Sequence, residues 1–520
     1  MARWARHLPP SGLLDSSDVG GCLSSTTDRT IAILGHARTP GAGPRNRADD
    51  HVTTTKAPTR LPTLSRTQTA GLAVGTVVFL AVLVVDIPGI EPAAQRMLAI
   101  FLLAIVLWIT EAIPLVATSL LVILLQVLLL SDQALVPLEE AAVTAREVFA
   151  TLADPVIILF IGGFLIADGA AKYNVDRNLA ALLLRPFVAG GARRTVLGLM
   201  LITALLSMFV SNTATTATMF AVLLPVMAAL PAGPARTGLA LSIPIAANIG
   251  GIGTPVGTPP NAIALGQLSA QGISISFLDW MLLAVPLMLV LLIGAWWMLT
   301  RRFIPADTEI EIDMSARFTT TPPALLFSAV AGLTVLLWLT EPLHGLASST
   351  VGFIPVVLLL ATGVLGSKDL QGLQWHVLWL VAGGIALGGG IGASGMDVWL
   401  LGLVDWEVLP AVALIALLSF AGLAMSTVIS SSAAANLLIP LALSLAVGLG
   451  MNAALVAVVV ALSCGMAMSL PISTPPNAIA YATGEVPQSA MISTGLVIGV
   501  VAFVLLSFAM PTWWSWLGLM

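Results

Sequence analysis

Apolar stretches follow one another along the chain from residue 69 to residue 512, with short polar segments between them. A membrane-spanning helix needs about 20 apolar residues, and most of these stretches have roughly that length. Two of them, 195–230 and 408–447, are too long for one span and carry polar side chains near the middle, so we expect a re-entrant hairpin at each. The stretches are 69–88, 95–112, 114–131, 155–171, 195–230, 237–266, 277–299, 323–340, 350–366, 375–396, 408–447, 450–482 and 489–512.

This pattern predicts an all-α polytopic membrane protein with about eleven transmembrane helices plus two re-entrant hairpins. The composition agrees, because 58% of the residues are hydrophobic and only 9% are charged, whereas a soluble domain carries about 25% charged residues. Residues 1–66 are instead rich in Arg, Ser, Thr, Pro and Gly, which predicts a disordered N-terminal tail. The two cysteines, Cys22 and Cys464, support neither a disulfide framework nor a metal cluster.

The basic residues predict how the chain sits in the membrane. Cytoplasmic loops carry an excess of Lys and Arg, and nearly all the basic residues after the tail fall on one face when the tail is cytoplasmic. We therefore expect a multi-pass protein of the cell membrane with a cytoplasmic N-terminal tail. Hairpins and pairs of full spans satisfy the charges equally well, so the hairpins rest on segment length and polarity. The residues on the predicted cytoplasmic face are Lys172, Arg177, Arg185, Arg193, Arg194, Arg236, Arg301, Arg302, Arg317 and Lys368.

The heptapeptide Thr-Pro-Pro-Asn-Ala-Ile-Ala occurs at 258–264 and again at 474–480, each time inside an apolar stretch. Two prolines stop a helix, and the Asn brings an amide to the break. In lipid, such a break is tolerated only where protein buries it or where it lines a cavity. Two matching breaks in two halves of a membrane chain are typical of a transporter with internal repeats and a site near the middle of the bilayer.

Other short matches extend the repeat in the same order. We expect a first repeat at 67–304, a cytoplasmic linker at 305–322 and a second repeat at 323–520. By charge and span counting, the first hairpin opens to the cytoplasm and the second to the outside, which predicts an inverted repeat. The matches are Leu107–Glu111 with Leu337–Glu341, Gly162–Gly163 with Gly383–Gly384, and Ser211–Ala214 with Ser430–Ala433.

The first hairpin carries six hydroxyls and one amide within the twelve residues Ser207–Thr218. Hydroxyl, amide and freed carbonyl oxygens suit a hard cation such as Na⁺, and the exposed N–H groups of a returning helix suit an anion. The alternative is that these side chains only pack helices or bond back to their own carbonyls. The second hairpin repeats the scheme with serines, and Ser431 stands where the first has Asn212. Asn436, further up the return arm, could compensate, but helical geometry puts it more than a turn away.

Other functions have weaker support in the sequence. No residues are arranged as a nucleophile with a base or as a metal-binding H-E-x-x-H, so we do not expect an enzyme. A channel would carry a repeated filter or pore ring, and an ATP-driven pump would carry a phosphate-binding loop. Gly390–Gly395 fits a dinucleotide fingerprint, but it lies in an apolar stretch without a βαβ pattern. No nucleic-acid partner is expected.

Over residues 69–512 the chain resembles the divalent-anion/sodium symporter family, which carries dicarboxylates, citrate or sulfate. The similarity lies in Trp108–Pro114 (WITEAIP), in Ser211–Thr213 (SNT) and in the two Pro-Pro-Asn breaks. It implies Na⁺-coupled symport of a small divalent anion, most readily a C4-dicarboxylate such as succinate. It also implies a homodimer in the lipid bilayer in which a mobile transport part moves like an elevator against a scaffold. A dicarboxylate exchanger and a sulfate or phosphate carrier are the alternatives within the same fold.

The resemblance also implies binding residues. One Na⁺ would bind at Ser207, Ser211, Asn212 and Gly257, and a second at Ser426, the carbonyl of Ile429, Ser431 and Ser473. The substrate carboxylates would meet Asn212, Thr213, Ser431 and Ser432, with Pro260 and Pro476 close by. The chain departs from the family pattern where Ser-Ser-Ser, at 430–432, replaces the second SNT. The return arms also differ in length, since 14 residues separate Ser211 from Pro225 and 10 separate Ser430 from Pro440.

Overall fold

The structure is a computed structural model that describes residues 64–188, 190–305, 308, 310, 318–403 and 406–518. All but the last three residues of the predicted N-terminal tail therefore lie outside the described residues. The first helix begins at Arg66, because Ser65 caps it: the Ser65 side chain accepts from the backbone N–H of Gln68, and the Gln68 side chain accepts from that of Ser65. Such a capping box satisfies two backbone donors that the first turn leaves free.

The described part of the chain is helical and contains no strand. The helices of the first half are α1 (Arg66–Val84), α2 (Pro92–Thr110), α3 (Leu115–Leu130), α4 (Ala145–Ala150), α5 (Pro155–Lys172), α6 (Val175–Val188), α7 (Ala192–Ser207), α8 (Asn212–Ala229), α9 (Pro234–Gly251), α10 (Pro259–Ala270) and α11 (Phe277–Phe303). Those of the second half are α12 (Pro322–Leu339), α13 (Glu341–His344), α14 (Ser348–Ala361), α15 (Ser367–Gln371), α16 (Trp375–Ala393), α17 (Met396–Gly402), α18 (Ala411–Val428), α19 (Ser431–Gly448), α20 (Ala453–Gly465), α21 (Pro475–Ala482), α22 (Gln488–Val504) and α23 (Met510–Trp516).

Ten helical segments of the described residues are long and apolar enough to cross a membrane. The expectation of an all-α polytopic membrane protein is thus confirmed. Both segments predicted as hairpins consist of two helices joined by a short turn, and both predicted breaks separate a longer helix from a shorter one. The sequence analysis missed the short helices α4, α6, α13, α15 and α17.

The first hairpin, α7 and α8, begins and ends beside the last two turns of α11. At its start, the indole Nε1 of Trp296 donates to the carbonyl of Arg193 at 2.8 Å. At its end, Leu230 caps α8 and only a short loop leads to α9, where Gly238 lies against Phe303. Since Trp296 and Phe303 are two turns apart on one helix, the chain enters and leaves this segment at the same end.

The second hairpin, α18 and α19, ends beside the short helix α17 that precedes it. Gly448, the last residue of α19, packs against the side chain of Leu401 in α17, so closely that a Cβ at Gly448 would lie 2.3 Å from it. Helix α17 precedes α18 by a short connection. The end of the hairpin therefore lies beside α17, the helix that precedes its start in the chain.

Two ion pairs join the halves of the chain at loops that span counting puts on the cytoplasmic face. Lys172, at the end of α5, pairs with Asp369 of α15 at 2.8 Å. Arg236, at the start of α9, pairs with Glu485, which follows α21, at 3.1 Å. Each pair connects loops that the predicted topology assigns to one face, and the orientation of that face in the cell stays a prediction.

The glycine-rich helix α16 is the centre of the packing, and buried amides from three different helices donate to its main chain. The close approach requires glycine, because a Cβ at Gly388 would lie 1.8 Å from Oε1 of Gln267. The glycines of α16 therefore serve helix packing. The amide of Asn436 is likewise turned to α16 and not to the second hairpin tip, so it does not compensate there for the missing asparagine. The three bonds are Gln126 to Ala386 (2.8 Å), Gln267 to Gly384 (2.5 Å) and Asn436 to Leu380 (3.1 Å).

Candidate functional site

The first hairpin tip is built by the end of one helix and the start of the next. Helix α7 ends at Ser207, and α8 begins at Asn212 after a turn. Ser211 is the N-cap of α8, and its hydroxyl accepts from the backbone N–H of Ala214 at 3.3 Å. The first N–H groups of α8 and its positive dipole end therefore lie at the tip.

Oxygen atoms crowd together beneath this tip. The fully buried hydroxyl of Ser207 donates to the carbonyl of Ala247 at 2.8 Å, and the amide of Asn212 lies 2.6 Å from the same hydroxyl oxygen. The carbonyls of Ala247 and Gly257 each lie 3.3 Å from that end of the amide, so its NH₂ group, turned to them, donates to all three oxygens. When a cation lies among these oxygens, the amide turns its own oxygen inward instead. This donor set fits a hard cation such as Na⁺.

Glycines make room for the cluster. A Cβ at Gly251, the last residue of α9, would lie 2.4 Å from Oδ1 of Asn212. A Cβ at Gly257 would lie 2.3 Å from the carbonyl of Gly251. Gly257 was predicted from the sequence, whereas Gly251 and the carbonyl of Ala247 were not. The run of glycines ahead of the first Pro-Pro-Asn was the available signal for Gly251.

The first break is closed by the asparagine of the repeated motif. Nδ2 of Asn261 donates to the carbonyl of Thr254 at 2.8 Å and to that of Gly251 at 3.1 Å. These carbonyls have no helical partner because the two prolines end the hydrogen-bond ladder. The hydroxyl of Thr254 donates to the carbonyl of Met208. The unwound segment is thereby attached to the hairpin tip.

The second break repeats this geometry. Nδ2 of Asn477 donates to the carbonyl of Leu470 at 3.0 Å and to that of Met468 at 2.8 Å. These acceptors lie seven and nine residues before Asn477, and Asn261 likewise reaches carbonyls seven and nine residues before it. The internal repeat therefore extends from the sequence to individual hydrogen bonds.

The second hairpin tip differs from the first at its centre. Ser426, the counterpart of Ser207, is fully buried, and among the described residues its hydroxyl meets only the weakly hydrogen-bonding thiol of Cys464. In the first half, the side chain of Asn212 reaches the hydroxyl of Ser207. Its counterpart in the second half, Ser431, is shorter. The hydroxyl of Ser473 donates to the carbonyl of Thr427 at 3.0 Å, which links the second break to the second hairpin. A buried hydroxyl oxygen of this kind fits a cation ligand.

The remaining predicted second-site residue, Ile429, is the C-cap of α18, where its N–H donates to Met425 and its extended backbone begins the turn. Position 467 distinguishes the two tips further. Counting from the motif asparagines, Ala467 is the counterpart of Gly251. The second half thus has the shorter Ser431 where the first has Asn212, and the larger Ala467 where the first has Gly251.

The predicted substrate residues lie at the starts of the two return arms. Asn212 and Thr213 open α8, and Ser431 and Ser432 open α19; all four are partly exposed. Each return arm packs against the helix that follows the break of the other half, α8 against α21 and α19 against α10. The buried Pro260 and Pro476 lie in the first turns of α10 and α21. Two helix N-termini with free N–H groups favour an anion.

The chain matches the family described as the sodium:sulfate symporter transmembrane region over residues 66–520. One relative is the sodium-dependent dicarboxylate transporter SdcS of Staphylococcus saprophyticus, 31% identical over 84% of this chain and 90% of that protein. Another is SdcS of Staphylococcus aureus strain USA300, 30% identical over 85% and 91%. An uncharacterized transporter of Haemophilus influenzae is 29% identical over 80% and 91%.

Among solved structures, the YdaH transporter of Alcanivorax borkumensis, reported to have an unusual topology, superposes with a TM-score of 0.50. It covers 78% of this chain and 99% of its own, at 16% sequence identity. This likeness concerns the fold alone.

Proposed function

Because the chain belongs to the sodium:sulfate symporter family and is a transporter rather than an enzyme, we propose that it carries Na⁺ together with a C4-dicarboxylate such as succinate. Two relatives named as sodium-dependent dicarboxylate transporters support this substrate class. The observation that carries the proposal is the convergence of the Ser207 hydroxyl and the carbonyls of Ala247 and Gly257 on the side-chain amide of Asn212, which can turn either its NH₂ group or its oxygen to them.

In this proposal the first Na⁺ binds at Ser207, Ser211, Asn212 and Gly257, with the carbonyl of Ala247 as a further ligand. Hydroxyl, amide and carbonyl oxygens are all hard donors. The site needs no acidic side chain. A neutral site of this kind leaves the charge of Na⁺ free to attract a nearby anion.

The second Na⁺ binds at Ser426, the carbonyl of Ile429, Ser431 and Ser473. The buried hydroxyl of Ser426, which has only the weak thiol of Cys464 beside it, supports this assignment. Because Ser431 is shorter than Asn212, we expect weaker binding at the second site or binding through a water molecule.

The dianion binds between the hairpin tips, at Asn212, Thr213, Ser431 and Ser432. A charge near the bilayer centre is costly. Two helix N-termini, each equivalent to about +0.5 elementary charge, offset part of that cost, and two bound Na⁺ ions offset more. Since Na⁺ and substrate share the tips, each raises the affinity of the other, and this coupling is reciprocal.

We further propose that the protein is a homodimer and works as an elevator, in which the hairpins and broken helices move together against the remaining spans. The resemblance to the family supports both points. The bonds of Thr254 to Met208 and of Ser473 to Thr427 support joint movement, because they attach each break to its hairpin.

The test is uptake into proteoliposomes of labelled succinate, citrate and sulfate, with and without an inward Na⁺ gradient. We expect Na⁺-dependent uptake of succinate and its loss in Asn212→Ala. Asn452→Ala is the matched control, because Asn452 only caps α20 and lies far along the chain from both tips. Full uptake in K⁺ without Na⁺, or normal uptake by Asn212→Ala, would refute the proposal. Uptake only into liposomes preloaded with a dicarboxylate would establish the exchanger, and selective uptake of sulfate the sulfate carrier.

A further inference from the structure

One buried side chain connects the two halves at their breaks. Asn248 of α9 is 2% exposed, and its Nδ2 donates to Oγ1 of Thr474 at 3.1 Å and to Oδ1 of Asn477 at 3.1 Å. The orientation of these amides follows from their neighbours. Asn477 turns its NH₂ group to the carbonyls of Met468 and Leu470, so its oxygen must face Asn248.

The first half supplies this hydrogen-bonding side chain to the second break, but the second half has no equivalent residue for the first break. Counting from the motif asparagines, the counterpart of Asn248 in the second half is Cys464. A thiol is a weak donor, and the Sγ of Cys464 lies beside Gly422 and Ser426 of α18, not at the first break. Correspondingly, Oδ1 of Asn261 is buried and has no hydrogen-bond partner among the described residues. The first half thus supports the second break, and the second half gives the first break no equivalent bond.

Asn248 directly follows Ala247, whose carbonyl belongs to the oxygen cluster of the first site. A cation held by that carbonyl and by Asn212 fixes this turn of α9. The turn positions the Asn248 amide, which in turn holds Thr474, the residue next to Ser473. The path from one proposed Na⁺ site to the other therefore consists of two peptide units, Ala247–Asn248 and Ser473–Thr474, and the side-chain hydrogen bonds of Asn248 between them.

We propose that Asn248 is a positioning residue that couples the two Na⁺ sites, so that occupation of the first site orders the second. The inference rests on the proposed function, since it requires Na⁺ at these oxygens. Coupling of this kind is reciprocal and commonly amounts to about 5- to 150-fold in affinity. Its signature is a Na⁺ response steeper than that of one site.

The test measures the thermal stability of the purified protein in detergent against NaCl, with choline chloride holding ionic strength constant. We expect a Hill coefficient above 1 for the wild type and near 1 for Asn248→Ala, with at least about a fivefold higher Na⁺ concentration for half the effect. Asn248→Leu, which keeps about the same size but has no donor and no charge, should behave the same way. Asn452→Ala is the control and should keep the steep response.

Thr474→Val separates coupling from packing. It removes one acceptor of Asn248, and with it the 3.4 Å cap bond from the backbone N–H of Asn477, without changing size. It should lower the Hill coefficient, and adding Asn248→Ala should lower it little further. If Asn248→Ala does not fold, Asn248→Leu and Thr474→Val decide. An unchanged Hill coefficient in the folded variants would overturn the inference. A wild-type protein whose melting temperature does not depend on the Na⁺ concentration would instead refute the proposed function.

Discussion

A single methyl group at Gly251 should disable the first Na⁺ site without unfolding the protein. In Gly251→Ala, the new Cβ would lie 2.4 Å from Oδ1 and 2.6 Å from Nδ2 of Asn212, where ordinary contacts are 3.4–4 Å. The amide must therefore retreat by about 1 Å from the carbonyls it faces, and overpacking of this kind costs about 1–3 kcal/mol. Converted at about 1.4 kcal/mol per tenfold, this predicts a loss of about 5- to 150-fold in Na⁺ affinity.

The effect on folding should be much smaller than the effect on binding. Gly251 ends a helix without a positive φ, and replacing a helical glycine by alanine favours the helix by up to about 1 kcal/mol. This gain offsets part of the overpacking, and Asn212 at the partly exposed tip can swing aside. We therefore expect the melting temperature without Na⁺ to change little while the stabilisation by Na⁺ is lost.

The assay is again the melting temperature against NaCl, combined with Na⁺-dependent uptake of succinate. Gly389→Ala is the matched control, because a Cβ at that helical glycine meets nothing within 4 Å. The double variant Gly251→Ala with Asn212→Ser copies the residue pair of the second half, so it should relieve the clash but keep the low affinity. A Na⁺ affinity of Gly251→Ala within about twofold of wild type, well below the overpacking cost, would refute the placement of Asn212 as a ligand against Gly251.

Three further predictions address the second half and the helix that precedes the first hairpin. Ser431→Asn should raise the affinity for Na⁺ and the affinity for succinate together, each by less than about 3 kcal/mol. The gain should be larger when Ala467→Gly is added, because this change makes room for the longer side chain. Unchanged affinities would favour the exchanger. Single cysteines at the exposed Val408 and Val447, at the two ends of the second hairpin, should both react with an impermeant thiol reagent from outside; labelling from opposite faces would exclude the hairpin. Burial raises the pKa of Asp176 in α6, which lies outside the candidate spans, so the ionised carboxylate destabilises the fold. Asp176→Asn should therefore raise the melting temperature at pH 8, and this gain should shrink as the pH falls through the raised pKa, whereas a pH-independent difference would contradict the assignment.

The features that the sequence predicted are those for which lipid leaves few alternatives. A hydrophobic run of about 20 residues must be a span, and a polar cluster inside an overlong run must be buried against protein. The hairpins at 195–230 and 408–447 and the two Pro-Pro-Asn breaks follow from these constraints, and the structure has helix pairs and broken helices at those places. Helix α6 was missed because its charged residues exclude a span and it is too short to stand out from a loop.

The parts of the site that escaped prediction carry no polar side chain or act across the repeat. The carbonyl of Ala247 belongs to an apolar run, and its exposure to the cluster depends on how Ser207 and Asn212 fold back on it. Asn248 is visible in the sequence, but its partners lie 226 and 229 residues away. A single sequence does not show which residues pair across such a distance. The local Pro-Pro-Asn pattern, in contrast, directly indicates where each helix is broken.

The departures from symmetry all favour the first half. Asn212 with Gly251 forms a closely packed polar pair where the second half has Ser431 with Ala467, and Asn248 provides a bond that Cys464 cannot return. An exact two-fold repeat would make the two Na⁺ sites equal, and either could fill first. With these substitutions the first site is prepared by its own residues, while the second depends on a hydrogen bond supplied from the first. Under the proposed function this imposes an order: Na⁺ enters the first site, Asn248 holds the second break, and the second Na⁺ completes the field that the dianion requires.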